Sequence, residues 1–250
     1  MSSRQLPEIE IVEVLRRSEH GMTEPFICRG DDGDIYFVKG TGAGRISQIN
    51  EWISGSLAIA FGIPVAPFRI VQVPEELAEV LSVEHAFALG SGPAFGSKEQ
   101  QITELAYSQV SDVPIEVRCS LLVFDWWISN GDRMLTENSG NPNLFWEAKA
   151  QRLVVIDHNQ AFDPDFDPDS FLKYHAFKDS VARVFDDLIE RELYTSKMEQ
   201  AIEGWDEIVR AIPEEWLYID PEMTIELDLE LNSLLIHLQR FRSDSFWNPK

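Results

Sequence analysis

An α+β protein, with a β-rich N-terminal part and a mainly helical C-terminal part, is predicted from three features of the 250-residue chain. Short runs of branched and aromatic residues at 9–16, 26–28, 35–39 and 68–73 are separated by Gly, Pro and Asp punctuation, which is the pattern of successive strands. From Ile102 onward the apolar spacing turns helical. Inside that helical half a hairpin pattern intervenes between Asn130 and Phe162, with an acid at the end of its second strand.

The elements follow in order. Ile9, Ile11, Val12, Val14 and Leu15 make a first strand, and the turn at His20–Thr23 leads to a second at 26–28. Asp31-Asp32-Gly33-Asp34 is a strong hairpin turn into a third strand, 35–39, so the three should form an antiparallel sheet. The run Gly40-Thr41-Gly42-Ala43-Gly44 reads as a flexible connection. It is not a GxxxxGK[ST] phosphate loop, because Lys39 comes before the glycines. A helix is expected over 47–61, with Ser47 and Asn50 as early-turn residues. A strand follows at 68–73, a short helix at 74–81 with Pro74 at its start, and a returning strand at 87–89. The Gly/Pro/Ser cluster at 90–98 reads as a connecting loop, and the division between an N-terminal region, 1–94, and a C-terminal region, 95–250, is expected there. A core helix over 117–129 carries Asp125 as a buried acid bonded to the turn that follows it. Beyond the hairpin, DPDFDPD at 163–169 is an acidic loop without the glycine and terminal glutamate of an EF-hand. Helices are expected over 179–193, 195–211 and 226–241, with a short segment at 212–216 between the last two. Trp205, Trp216 and Trp247 read as packing anchors.

Composition narrows the function. Lysine and arginine number 21 against 43 acids, a formal charge of −22, which argues against a nucleic-acid partner because nothing offsets phosphate repulsion. A site for an anionic nucleotide would need local cations, backbone N–H groups or a metal. Cys28 and Cys119 lie in apolar surroundings and read as buried thiols, so a reducing, cytoplasmic setting is expected. The first residues are too polar for a signal peptide, and the apolar runs at 52–63 and 120–128 are too short to insert in a membrane.

The chemistry concentrates in the hairpin. Asp132 sits in the turn Asn130-Gly131-Asp132-Arg133, and Asp157 ends the strand 153–156. Asn141 and Asn143 precede the apolar run Leu144-Phe145-Trp146. Carboxylate and amide oxygens gathered at one rim are hard ligands of the kind Mg²⁺ takes, and a further carboxylate there could orient a hydroxyl. Upstream, Glu51 lies in a largely apolar helix and asks for a cationic partner, with Lys39 the obvious candidate. The bland alternative has Glu51 facing solvent and Lys39 on a sheet edge. Gly21 could let backbone N–H groups approach a phosphate, although Glu24 nearby is unhelpful for an anion. A zinc site from His158, His175 and Asp157 lacks close ligand spacing, and GSGPAFGS does not match the GxSxG elbow of a serine hydrolase.

With these residues in place, the chain resembles the HipA-like kinase superfamily, most nearly its small stand-alone bacterial members, and is distantly similar to type II phosphatidylinositol 4-kinases. The matching pieces are EHGMTEPFIC, YFVKG, INEWISGSLAIAFGIPV, GPAFGS, NGDR, NPNLFW and VVIDHNQAF, in the expected order over roughly residues 10–165, with IPEEW at 212–216 extending the likeness. The resemblance implies a bilobal protein-kinase-like fold with a catalytic hairpin. It implies ATP and Mg²⁺ as cofactors, with Gly21 and Thr23 in the loop over the phosphates, Lys39 on the α/β-phosphates and Glu51 holding Lys39. Asp132 would orient the acceptor hydroxyl, Asn143 or Asn141 would bind metal, and Asp157 would coordinate Mg²⁺ beside the nucleotide. The acceptor it implies is a Ser/Thr hydroxyl of a protein. A small molecule or lipid headgroup is the alternative substrate, and a catalytically degenerate nucleotide-binding or interaction module is the alternative function.

The sequence departs from the family pattern between Asp132 and its asparagines. Residues 136–140 look inserted, which makes Asn138 a third metal-ligand candidate, and His158-Asn159 stands where many kinases have Phe-Gly.

Overall fold

The computed structural model describes residues 8–18, 23–137 and 140–249; Gly21 and Asn138 lie outside them. Contacts divide the chain into two compact units interleaved along the sequence. One comprises Met1–Ile49, Ala66–Gln100 and Pro213–Leu227, and the other Asn50–Val65, Gln101–Ile212 and Asp228–Lys250.

The first unit is built on strands β1 (Ile9–Arg17), β2 (Phe26–Gly30) and β3 (Ile35–Lys39). After β3 comes the start of helix α1 (Arg45–Phe61), then β4 (Phe68–Val73), the short helices α2 (Glu75–Glu79) and α3 (Val83–Leu89), and β5 (Gly92–Lys98). The strands do not stop at the expected antiparallel sheet. They close into a barrel in the order β1-β2-β3-β5-β4, shut by a parallel pairing of Ile9 with Val71 and Glu10 with Gln72. Closure removes the exposed strand edges, and it depends on a pairing some sixty residues apart that no local pattern announces. Ile11, Cys28, Val38 and Val71 fill the interior without solvent exposure. The Asp-Gly hairpin forms as expected: Gly33 takes φ +84° and Asp32 accepts the Asp34 N–H at 3.0 Å.

Three expectations fail in this unit. The cluster at 90–98 is strand β5, paired with both β3 and β4. Gly96 is a packing residue: a Cβ there would stand 2.7 Å from Val71 Cγ1. Residues 87–89 belong to helix α3 rather than a strand. Ser82 Oγ accepts the His85 N–H at 3.3 Å at its start, and Gly90, at φ +69°, donates its N–H to Ala86 at its end. The glycine run after β3 is not a free linker. Residues Thr41–Ala43 form a 3₁₀ turn, Thr41 Oγ1 donates to the Phe87 carbonyl at 2.7 Å, and any side chain on Gly40 would overlap the Leu89 carbonyl. The 3₁₀ turn Glu214–Leu217 also belongs to this unit: buried Trp216 donates its indole N–H to the Pro93 carbonyl at 2.9 Å.

The second unit holds most of α1, strand β6 (Thr103–Glu104), helix α4 (Ile115–Trp127), strands β7 (Leu144–Glu147) and β8 (Arg152–Val155), and helices α5 (Pro168–Tyr174), α6 (Val181–Asp186), α7 (Leu188–Glu203), α8 (Trp205–Arg210) and α9 (Leu231–Leu238). α1 ends at Gly62, whose N–H returns to Ala58 and whose φ of +92° only glycine takes readily. α4 is the central helix: every residue from Cys119 to Trp127 is buried. Its tryptophans keep their polar ends satisfied, Trp126 on the Phe246 carbonyl at 3.1 Å and Trp127 on Leu238 at 2.7 Å. The hairpin forms in the expected place, with Leu144 opposite Val155 and Trp146 opposite Leu153, and β6 adds a third strand.

The segment just after Ile102 is therefore strand and 3₁₀ turn before it is helix. The helix breaks also move. They fall at Asp187, which caps α7 by accepting the Ile189 N–H at 2.8 Å, and at Gly204, while Tyr194 is buried in mid-helix. Residues 226–230 are not helical. No helix among the described residues is long and apolar enough to cross a membrane.

Candidate functional site

Buried Asp125, near the end of α4, is the foundation of the site. Its carboxylate accepts from Asn130 Nδ2 at 2.9 Å, Arg133 Nε at 2.9 Å and His175 Nε2 at 3.1 Å. Burial alone would push this carboxyl up; the Arg133 guanidinium and the His175 hydrogen bond outweigh that and hold it below the usual carboxylate range. Burial pushes His175 the other way, below the usual histidine range, against the pull of Asp125. His175 Nδ1 accepts the Phe177 N–H at 3.1 Å, so in the neutral ring the proton sits on Nε2, aimed at Asp125. Both ring nitrogens are thus engaged inside the protein.

Arg133 is fully buried and faces the hairpin from below. Its terminal nitrogens donate to the carbonyls of Pro142 at 3.2 Å, Ile156 at 3.0 Å and Asp157 at 3.2 Å. Asn143 and Asp157 both occupy the left-handed region, at φ +53° and +60°. Asparagine and aspartate tolerate that region better than other non-glycine residues. The Ile156 N–H donates to the Asn143 carbonyl at 3.1 Å, so the hairpin continues one step past its named strands, to Asn143 and Ile156, and Asp157 follows directly in the chain.

The key side-chain contact is Asn143 Nδ2 to Asp132 Oδ2, at 3.0 Å. With its nitrogen committed there, the amide presents Oδ1 as an acceptor. Asn141 is exposed, so of the two described asparagines Asn143 is the one held against Asp132. Asp157 is half-buried, and its Oδ1 accepts the Asn159 N–H at 3.3 Å. Among the described residues no group of three or more His, Cys, Asp or Glu is placed to hold a metal ion. A metal here would rest on one carboxylate and one amide, with its remaining ligands from water or substrate oxygens, a set that suits Mg²⁺ rather than zinc.

Helix α1 holds the backbone just beyond Asp157. Glu51, 3% exposed, accepts the His158 N–H at 2.9 Å, and Asn50 Nδ2 donates to the carbonyls of Asn159 at 3.1 Å and Ala161 at 2.8 Å. Glu51 does not face solvent, and Asn50 does more than begin a helix. In the barrel unit, Lys39 is 7% exposed at the end of β3, an interior strand, so it is not an edge charge; Gln48 donates to its carbonyl at 2.7 Å. Thr23 lines a shallow depression with Arg17, Glu24, Gly40 and Gly42. Glu24, which looked unhelpful for an anion, is paired with Arg17 at 3.1 Å. Arg133 and His175 were not singled out from sequence as supports of the hairpin; NGDR contains the arginine, and its burial only follows once Asp125 is placed beneath it.

A family model described as HipA-like kinase matches residues 11–250. The chain belongs to the HipA-like kinase family. That match spans the barrel and helical units alike, and it includes the 212–216 segment. No curated protein sequence matches the chain. Among solved structures, the crystal structure of the Helicobacter pylori proinflammatory kinase CtkA is similar, with a TM-score of 0.49, 10% identity and 95% of each chain covered. At that identity and score no residue correspondence follows.

Proposed function

We propose that the chain is an ATP- and Mg²⁺-dependent phosphotransferase acting on a hydroxyl group, with Ser or Thr of a protein as the acceptor class that the family suggests. The observation that carries this reading is the Asn143–Asp132 contact at 3.0 Å, formed where the hairpin also delivers Asp157. Asn143 Oδ1 and the Asp157 carboxylate would hold Mg²⁺, which when bound neutralises charge on the phosphate oxygens. Lys39 would meet the α/β-phosphates, and Glu51 would orient it. Gly21 and Thr23 would lie over the phosphates.

Asp132 accepts the proton of the incoming hydroxyl as its oxygen bonds to the γ-phosphorus. The bond from that phosphorus to the β,γ-bridging oxygen breaks, and ADP leaves with the electron pair. Asn143 keeps the Asp132 carboxylate turned for this task by donating to one of its oxygens.

The test separates binding from turnover. Asp132→Asn keeps the size and shape of the side chain but loses the base, so Mg²⁺-ATP should bind within a fewfold of wild type while phosphoryl transfer falls by roughly 10²–10⁴-fold. Unchanged transfer would overturn the assignment of Asp132. Tight nucleotide binding with no transfer by the wild type would make the protein a nucleotide-binding module.

A further inference from the structure

We infer that Arg133, oriented by Asp125 and His175, is the positioning residue that fixes the backbone of both proposed metal ligands; this rests on the phosphotransferase reading of the site. One guanidinium reaches four carbonyls, those of Pro142, Ile156 and Asp157 and, at 3.5 Å, Asn143, which belong to the two chain segments that bear Asn143 and Asp157. Both ligands adopt φ values above +50°, a region that Asn and Asp tolerate and that the hydrogen bonds around them help to hold. The Arg133 side chain bonds to both segments, beside the backbone bond between Ile156 and Asn143. A lysine could not replace it, because only the planar fork supplies donors in several fixed directions at once.

The guanidinium is itself aimed. Asp125 takes its Nε between both carboxylate oxygens, at 3.0 and 2.9 Å, and His175 Nε2 donates to one of them, Oδ2, at 3.1 Å. His175 is tied to the same turn through the backbone as well: Ala176 N–H donates to the Arg133 carbonyl at 2.8 Å and Leu135 N–H to the Tyr174 carbonyl at 3.0 Å. The end of α5 is thereby joined to the turn bearing Asp132. The chain following Asp157 loops out through DPDFDPD and returns at His175 to brace the residue that holds Asp157. Removing the His175 ring nitrogens would leave a buried carboxylate short of one donor and free the guanidinium to tilt. Metal ligands depend strongly on such outer partners.

The experiment uses the full chain with Arg133→Lys, His175→Phe and His175→Gln. Amide hydrogen exchange of the nucleotide-free protein reads the backbone, and half-saturation by Mn²⁺ in the presence of ADP reads the metal site. For Arg133→Lys and His175→Phe, peptides covering 141–144 and 155–158 should exchange at least roughly tenfold faster while those of α7 hold their protection. Mn²⁺ half-saturation should rise by about 10–100-fold. His175→Gln, which keeps a donor for Asp125, should recover much of both. If Arg133→Lys does not fold, the two His175 variants still decide the matter. Faster exchange spread evenly through α7, or Mn²⁺ half-saturation unchanged beside a lowered Tm, would show a merely structural role and overturn the inference. If the wild type binds no Mn²⁺ but the two segments still loosen selectively, the clamp stands and the metal reading of the site falls.

Discussion

Asp132 and Asp157 stood out in the sequence because charged residues at turn and strand ends attract notice. Arg133 did not, because an arginine beside a polar turn reads as solvated. Its complete burial follows from Asp125, an acid on an otherwise apolar helix, and that acid was legible: the expectation that it bonds the following turn is met by Asn130 and Arg133. The choice between Asn141 and Asn143 was open in the sequence, since both precede the same strand. Side-chain placement sets them apart, with Asn143 bonded to Asp132 and Asn141 exposed. Asn143→Ala should therefore lower phosphoryl transfer by roughly 10²-fold or more, while Asn141→Ala should leave it within about a factor of two, as read from initial rates at saturating Mg²⁺. Glu51 was expected to hold Lys39; the contact visible within its own unit is with the His158 N–H, a backbone partner that side-chain patterning cannot reveal.

Strands with alternating or branched residues and the hairpin were readable, and β3 and β4 fall where the pattern put them. β5 and α3 depart from the sequence pattern for different reasons: the glycine and serine of 90–98 read as irregular chain, and the short apolar run 87–89 reads as a strand when it is the last turn of a helix. In β5 the missing side chains let two strands approach. Gly96→Val should destabilise the protein by about 1–3 kcal/mol in urea denaturation, because the new methyl groups have no room beside Val71. In α3 the same residue types are caps, with Ser82 and Gly90 bracketing the helix. Ser82→Ala should cost about 0.5–1 kcal/mol in the same assay, at the low end for an N-cap since its bond is 3.3 Å. The parallel closure of the barrel and the return of Trp216 to Pro93 depend on pairings distant in sequence, and only the folded chain shows them.

Over the whole molecule, charge, buried His175 and half-buried His237 set the response to solution conditions. His175 is held below its ordinary value chiefly by burial, and His237 is pushed down to about 4 by burial and by Arg240. In the unfolded chain both titrate near about 6.5. A group whose folded pKa is depressed binds its proton only in the unfolded state across the interval, so stability is full above about pH 6.5 and declines as the pH falls from there. Asp125, also held low, adds to the loss at still lower pH. Tm should thus drop steadily between about pH 7 and about pH 5, and His237→Gln should flatten part of that slope. A Tm that rose on acidification would show that relief of the −22 charge dominates instead. Dependence of phosphoryl transfer from ATP on Mg²⁺ and the hairpin residues is the core of the proposed function. It is tested most directly by ATP consumption with Mg²⁺, including label transfer from the γ-phosphate, on wild type and Asp157→Ala. The expected result is measurable consumption by the wild type and a loss of roughly 10²-fold or more in the variant; equal rates in the two proteins would contradict the claim.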